Sequence, residues 1–218
     1  MTVSAVFFDL DGTLVDSLQD LADAVNHMLR SLDKQVITLP EVRHLVGKGA
    51  RNLVQRALKT DSSEQIERGL RLFTAFNEQH IADSSRLYPG VPELLQQLVS
   101  NNLRMTVISN KNEALSRLIL KVLEIEGIFE RIAGGDTFPE LKPSPLPLLE
   151  MTRKLGLKPE NVIMVGDSIN DIQAGNSAGI TTIGCTWGYG GLEEIGDAQY
   201  RASSPAELCS LIATITGR

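Results

Sequence analysis

Short apolar runs and stretches of helical spacing alternate along most of the chain. Runs at residues 3–8, 104–108, 131–133, 162–165 and 181–183 predict strands, and a weaker run lies near Tyr200. Most are continuous rather than strictly alternating, as in strands covered on both faces of a parallel sheet. Between them, apolar residues at helical spacing predict helices near 92–100, 112–123, 145–155 and 169–178. Pro92 suits a first helical turn and Gly156 a helix stop.

One region breaks this alternation. From about residue 18 to 81 there is no strand pattern, while Leu21, Val25, Met28, Leu29 and Leu32 recur at helical spacing, as do Ile66, Leu70, Phe73 and Phe76. Val42, Leu45 and Val46, then Leu53, Val54, Ala57 and Leu58, predict two shorter helices divided by Gly47 and Gly49. The return stretch SSRLYPGVP carries the Pro and Gly of a boundary. The expected architecture is α/β: a doubly wound, Rossmann-like parallel sheet with a small helical cap inserted after the first strand. Residues 1–16 and 86–218 would form the core, and residues 17–85 the cap.

Composition narrows the partners. The chain has 218 residues, 42% hydrophobic and 22% charged, enough for a well-buried core. Its net charge of −6 argues against nucleic acid or an acidic membrane surface, which recruit basic proteins. No apolar run approaches the roughly 20 residues of a membrane span. The start MTVSAVFF lacks the basic region of a signal peptide. Cys185 and Cys209 form no CxxC pair and have no histidines beside them, as expected of ordinary thiols in a reducing cytoplasm.

Candidate chemistry gathers where predicted strands end, which is where open parallel sheets bind ligands. Asp9-Leu10-Asp11-Gly12-Thr13 follows the first run, Ser109-Asn110 follows RMTVI, Lys142 sits in ELKPSP, and GDSIND, with Asp167 and Asp171, follows VIMV. Four crowded carboxylates repel unless a cation is present. An all-oxygen set without His or Cys suits a hard ion such as Mg²⁺. Ion, lysine and serine together describe a cradle for a phosphoryl group. A carboxylate also serves as nucleophile toward phosphorus. The three histidines (His27, His44, His80) all lie in the insertion, so acid–base work falls to the second Asp of the pair. Residues two apart in extended chain share a side, so Asp9 and Asp11 face one volume while Leu10 points away. The loop GCTWGYGG either lines this site or is a plain loop.

These motifs resemble those of the haloacid dehalogenase-like hydrolase superfamily: DLDGT, the serine of VISN, Lys142 and GDSIND. The resemblance implies that Asp9 attacks phosphorus and that Asp11 protonates the leaving alcohol and then activates water. It implies Mg²⁺ held by Asp9, the Asp11 carbonyl and Asp167, with Asp171 ligating directly or through water, and Ser109, Asn110 and Lys142 on the phosphoryl group. The insertion, through VGKGARNLVQRAL, resembles the cap of the phosphoglycolate phosphatase group within that superfamily. On that resemblance the substrate is a small phosphorylated acid, 2-phosphoglycolate, with Lys48 and Arg51 beside Gly47 and Gly49 meeting its carboxylate. A sugar-phosphate phosphatase or mutase shares the core and a similar cap. A receiver-type phospho-accepting module is the non-enzyme alternative, but such modules carry no cap and place their acceptor Asp after a middle strand, where this chain has Ser109.

Overall fold

The computed structural model describes residues 3–217. Six parallel strands form one sheet in the order β5-β4-β1-β6-β7-β8. They are β1 (Ala5–Phe8), β4 (Arg104–Ile108), β5 (Arg131–Ala133), β6 (Val162–Gly166), β7 (Thr181–Cys185) and β8 (Tyr200–Ala202). β1 lies at the centre, with Phe8 paired to Val107 on one side and Val165 on the other. The first strand therefore opens at Ala5, two residues later than the apolar run, and β6 and β7 run on through Gly166 and Cys185.

Side-chain alternation along β1 builds both layers. Val6 and Phe8 join one core with Leu95 and Leu98 of α5 (Val91–Ser100) and Ile119 and Leu120 of α6 (Glu113–Val122). Ala5 and Phe7 join the other with Leu148 and Met151 of α7 (Leu146–Lys154) and Ala174 and Ala178 of α8 (Ile169–Ala178). Continuous apolar strands follow directly, because both faces are covered. A last helix, α9 (Pro205–Thr216), adds Leu208 and Ile212 to the first core. The strand–helix alternation above does not include it, although Ser204 accepts from Glu207 N as its N-cap and Pro205 opens its first turn.

The insertion leaves and re-enters through a short antiparallel pair, β2 (Val15–Asp16) with β3 (Arg86–Leu87). It comprises α1 (Leu18–Ser31), α2 (Leu39–Arg43), α3 (Gly49–Leu58) and α4 (Ser63–Gln79). Leu21, Val25, Met28, Val54 and Phe73 share a hydrophobic cluster separate from those of the sheet. Asp20 ties the two ends of the insertion: its carboxylate accepts from Ser84 N at 2.9 Å and Ser85 N at 2.8 Å. Val42 is buried in α2, whereas Leu45 and Val46 follow that helix in the turn leading to Gly47.

Candidate active site

The four strand-end clusters meet beyond the carboxyl edge of the sheet. β1 stops at Phe8, and the Asp9 N–H donates to Val165 O at 2.9 Å, holding Asp9 against the end of β6. The next turn is tight: Leu14 N and Val15 N both donate to Leu10 O. Leu10 is fully buried in the core, while Asp9 and Asp11 both line one cavity, as the alternation predicts.

Lys142 is the hub of this site. Its ammonium stands 2.9 Å from Asp9 Oδ1 and 2.6 Å from Asp171 Oδ1, and donates to Ile108 O at 2.5 Å. Two bonds with Asn110 fix its backbone: Lys142 N donates to Asn110 Oδ1 at 3.0 Å, and Asn110 Nδ2 donates to Lys142 O at 2.8 Å. Asn110 thus positions the lysine as well as lining the cavity. Ser109, just past β4, is anchored by its N–H on Ala133 O at 3.0 Å, and its Oγ accepts from Lys111 N at 3.2 Å.

Asp171 sits three residues into a capping box, where its Oδ2 accepts from Ser168 N at 3.1 Å and Ser168 Oγ at 2.7 Å. Asp167 accepts from Thr13 Oγ1 at 3.1 Å and from the backbone N–H groups of Tyr189 at 2.6 Å and Gly190 at 3.2 Å. The glycine- and aromatic-rich loop is therefore part of the site. Trp187 Nε1 also donates to Thr13 O at 3.0 Å, which ties that loop to the turn after Asp11.

Carboxylate oxygens of Asp9, Asp167 and Asp171 lie within 4.8 Å of one another, and among the described residues this is the one such acidic or metal-ligating group. The donor set is all oxygen, which fits a hard divalent cation. Asp11 turns its carboxylate away toward Lys111 Nζ, at 3.1 Å, and Ser17 Oγ. These contacts hold the Asp11 side chain apart from the acidic group. Four carboxylates thus face two ammonium groups, an excess of two negative charges that a divalent ion balances.

The acidic set is costly without that ion. Burial pushes the Asp9 carboxyl up to about 6; the Lys142 ammonium opposes the rise and Asp171 adds to it. Burial likewise pushes Asp167 up to about 7, reinforced by Asp171 and Asp9 and opposed by the Gly190 and Tyr189 N–H groups. Lys142 moves the other way from a buried lysine. Burial, its largest single influence, works to lower it, but the Asp171 and Asp9 charges together outweigh that and raise it.

Two of the expected residues do not line the cavity. Lys48 is exposed at the N-cap of α3 and does not line the cavity. Arg51 is also exposed and is engaged in an ion pair with Glu67 of α4. The reason is the helix face: Leu53, Val54, Ala57 and Leu58 of α3 turn inward, and Arg51 turns toward α4 instead. Gly47 does reach the site, since its carbonyl accepts from Asn110 Nδ2 at 2.9 Å and Asn170 Nδ2 at 3.2 Å.

Several residues enter that sequence reasoning did not single out. Lys111 follows Ser109-Asn110 directly, so its place at a strand end was a usable signal. His44, Arg43 and Glu194 border a second cavity with Asp9, Asp11 and Asp167. For these the signal is absent: Arg43 and His44 reach the site only when the insertion folds back over the sheet, and Glu194 comes from the core loop that follows β7.

This arrangement of a central-strand Asp pair, a serine, a lysine and a distal acidic pair under a helical insertion defines a class of hydrolase. The family model described as haloacid dehalogenase-like hydrolase matches residues 6–185, and the chain belongs to that family. Within it, the chain is 40% identical over 215 residues to a phosphoglycolate phosphatase of Chromobacterium violaceum, covering 96% of each chain. It is 38% identical over 208 residues to the phosphoglycolate phosphatase of Aquifex aeolicus, covering 95% of each. A crystal structure of a predicted phosphoglycolate phosphatase from Haemophilus somnus superposes with a TM-score of 0.92 at 32% identity, covering 97% of this chain and 99% of that one. No helix among the described residues is long and apolar enough to cross a membrane.

Proposed function

We propose that this chain is a Mg²⁺-dependent phosphatase that hydrolyses 2-phosphoglycolate to glycolate and phosphate through an aspartyl-phosphate at Asp9. The observation that carries the reading is the pairing of roles at one spot. Asp9 is gripped by Lys142 among the acidic cluster, while Asp11, facing the same cavity, is held clear of the cluster by Lys111. The names of the relatives support the substrate.

In this mechanism an Asp9 oxygen attacks phosphorus as the bond to the substrate's ester oxygen breaks. Asp11 gives its proton to that leaving oxygen. Asp11, now a carboxylate, takes a proton from water; the water attacks phosphorus, and the bond to Asp9 breaks to restore the free carboxylate. Lys142 and Ser109 hold the phosphoryl oxygens, and Asn110 keeps Lys142 in place. A Mg²⁺ bound by Asp9, Asp167, Asp171 and the Asp11 carbonyl would neutralise charge on the phosphoryl group and relieve the repulsion among the carboxylates. The insertion, residues 17–85, acts as a cap over the core of 1–16 and 86–218, excluding bulk water from the first step. The setting is the cytoplasm, in keeping with two free thiols.

Phosphate release should be measured across phosphorylated acids, sugar phosphates and nucleotides, each with and without Mg²⁺. The highest kcat/KM is expected for 2-phosphoglycolate, and only with the metal. A sugar phosphate or nucleotide at the head of that ranking would overturn the substrate.

A further inference from the structure

The reading above leaves the substrate's carboxylate without a partner. The two residues expected to meet it, Lys48 and Arg51, stand outside the cavity. Its remaining walls leave few alternatives. The part supplied by the insertion is apolar, with Leu21, Val46, Leu53 and Phe73, and contains one polar side chain, Asn77. The sheet side supplies one cation besides Lys142, namely Lys111.

Asn77 is unusual. It is 2% exposed, and its Oδ1 has no hydrogen-bond partner. Of the buried side-chain oxygens without a partner (Asn52 Oδ1, Asn77 Oδ1 and Thr106 Oγ1 among the described residues), Asn77 is the one that lines this cavity, where a visiting ligand can meet its amide. The O and N of an amide are exchangeable by a half-turn, so the same side chain presents an N–H to a carboxylate.

Lys111 is placed by chemistry as well as by position. Its ammonium is 3.1 Å from Asp11 Oδ2, and its side chain is largely buried. Asp11 must reach the ester oxygen in order to protonate it. In 2-phosphoglycolate the carboxylate is one methylene from that oxygen, so a cation beside Asp11 is a cation beside the carboxylate. We infer that Lys111 from the core and Asn77 from the cap together form the carboxylate subsite, which makes them the specificity-determining residues of this enzyme. This inference rests on the phosphoglycolate reading. It makes recognition depend on closure, because one half of the subsite is carried on each side of the cavity.

The test compares 2-phosphoglycolate with 2-hydroxyethyl phosphate, which replaces the carboxylate by a neutral hydroxymethyl group. kcat and KM are measured for the wild type, Asn77→Leu and Lys111→Met. Each variant should lower the ratio of the two kcat/KM values at least tenfold, mainly through KM for phosphoglycolate. Any effect of Lys111→Met on Asp11 acts on both substrates and cancels in that ratio. Asn77→Leu should also melt no lower than the wild type, since it replaces an unsatisfied amide by an apolar side chain of similar size; a merely structural Asn77 would melt lower with the ratio unmoved. A ratio unchanged within twofold in both variants overturns the subsite and leaves the phosphatase reading standing. If Asn77→Leu does not fold, Lys111→Met decides alone by the same criterion. A wild type that releases phosphate from other esters but not from 2-phosphoglycolate overturns the substrate reading, and this inference with it.

Discussion

Arg43, at the end of α2 in the insertion, donates from Nε to the backbone carbonyl of Tyr189 in the core at 2.9 Å, and from Nη2 to Gly188 O at the same distance. The Tyr189 N–H in turn holds Asp167 Oδ2. The latch between insertion and core is therefore one residue away from a carboxylate of the acidic cluster. Arg43→Ala should release the loop and raise the Mg²⁺ concentration needed for half-maximal activity at least several-fold. A metal titration of the variant checks this, and an unchanged midpoint would disconnect the latch from the metal.

The Asp9 and Asp167 carboxyls, at about 6 and about 7, lie well above an ordinary aspartate near 3.8. Without metal, the folded state holds protons through this window that the unfolded state has already lost. Stability from these groups is thus present at low pH and is lost as pH rises from about 4 to about 7, on the order of a few kcal/mol. Mg²⁺ must displace those protons in order to bind. The rise in Tm on adding saturating Mg²⁺ should be larger at pH 8 than at pH 5, and an equal or smaller rise at pH 8 would contradict the assignment.

Gly12 occupies φ +91°, and a Cβ there would lie 2.4 Å from Asp167 Oδ2. Gly12→Ala therefore carries both backbone strain and a collision with the Asp167 carboxylate of the acidic cluster. A loss of about 1–3 kcal/mol in stability, and at least a tenfold weaker Mg²⁺ requirement curve, are expected from thermal melts and metal titration. Wild-type behaviour in both would mean the turn can be rebuilt at little cost.

Much of this site was legible because it depends on local pattern. DLDGT ends a central apolar run, so strand alternation alone sends Leu10 into the core and both aspartates to one side. Lys142 and GDSIND are marked in the same way by their positions after strands or in polar loops. The parts that were not legible are set by tertiary placement. Arg51 and Glu67 are 16 residues apart and meet only because α3 and α4 pack together. Asn77 reads as an ordinary polar residue on a helix until α4 is laid over the sheet. Tyr189 contributes its backbone N–H to Asp167, a role that no side-chain identity encodes.

The acid role of Asp11 predicts a dependence on the leaving group. In single turnovers, Asp11→Asn should slow alcohol release from an alkyl phosphate by about 10²-fold or more, and release of nitrophenolate from p-nitrophenyl phosphate much less, since nitrophenolate departs without a proton. Equal losses on both esters would assign Asp11 another task.

The central claim is that Asp9 becomes covalently phosphorylated, and the most direct measurement is to locate the phosphate. Asp11→Asn enzyme mixed with p-nitrophenyl phosphate and Mg²⁺ should release one nitrophenolate per active site rapidly and then slow, because water activation is impaired while the first step proceeds. Acid quenching at the end of that burst, followed by mass spectrometry, should find a hydroxylamine-sensitive phosphate on Asp9, and none in the Asp9→Asn, Asp11→Asn double variant. Continued turnover with no burst and no modified aspartate, or a phosphate on another residue, would contradict the account.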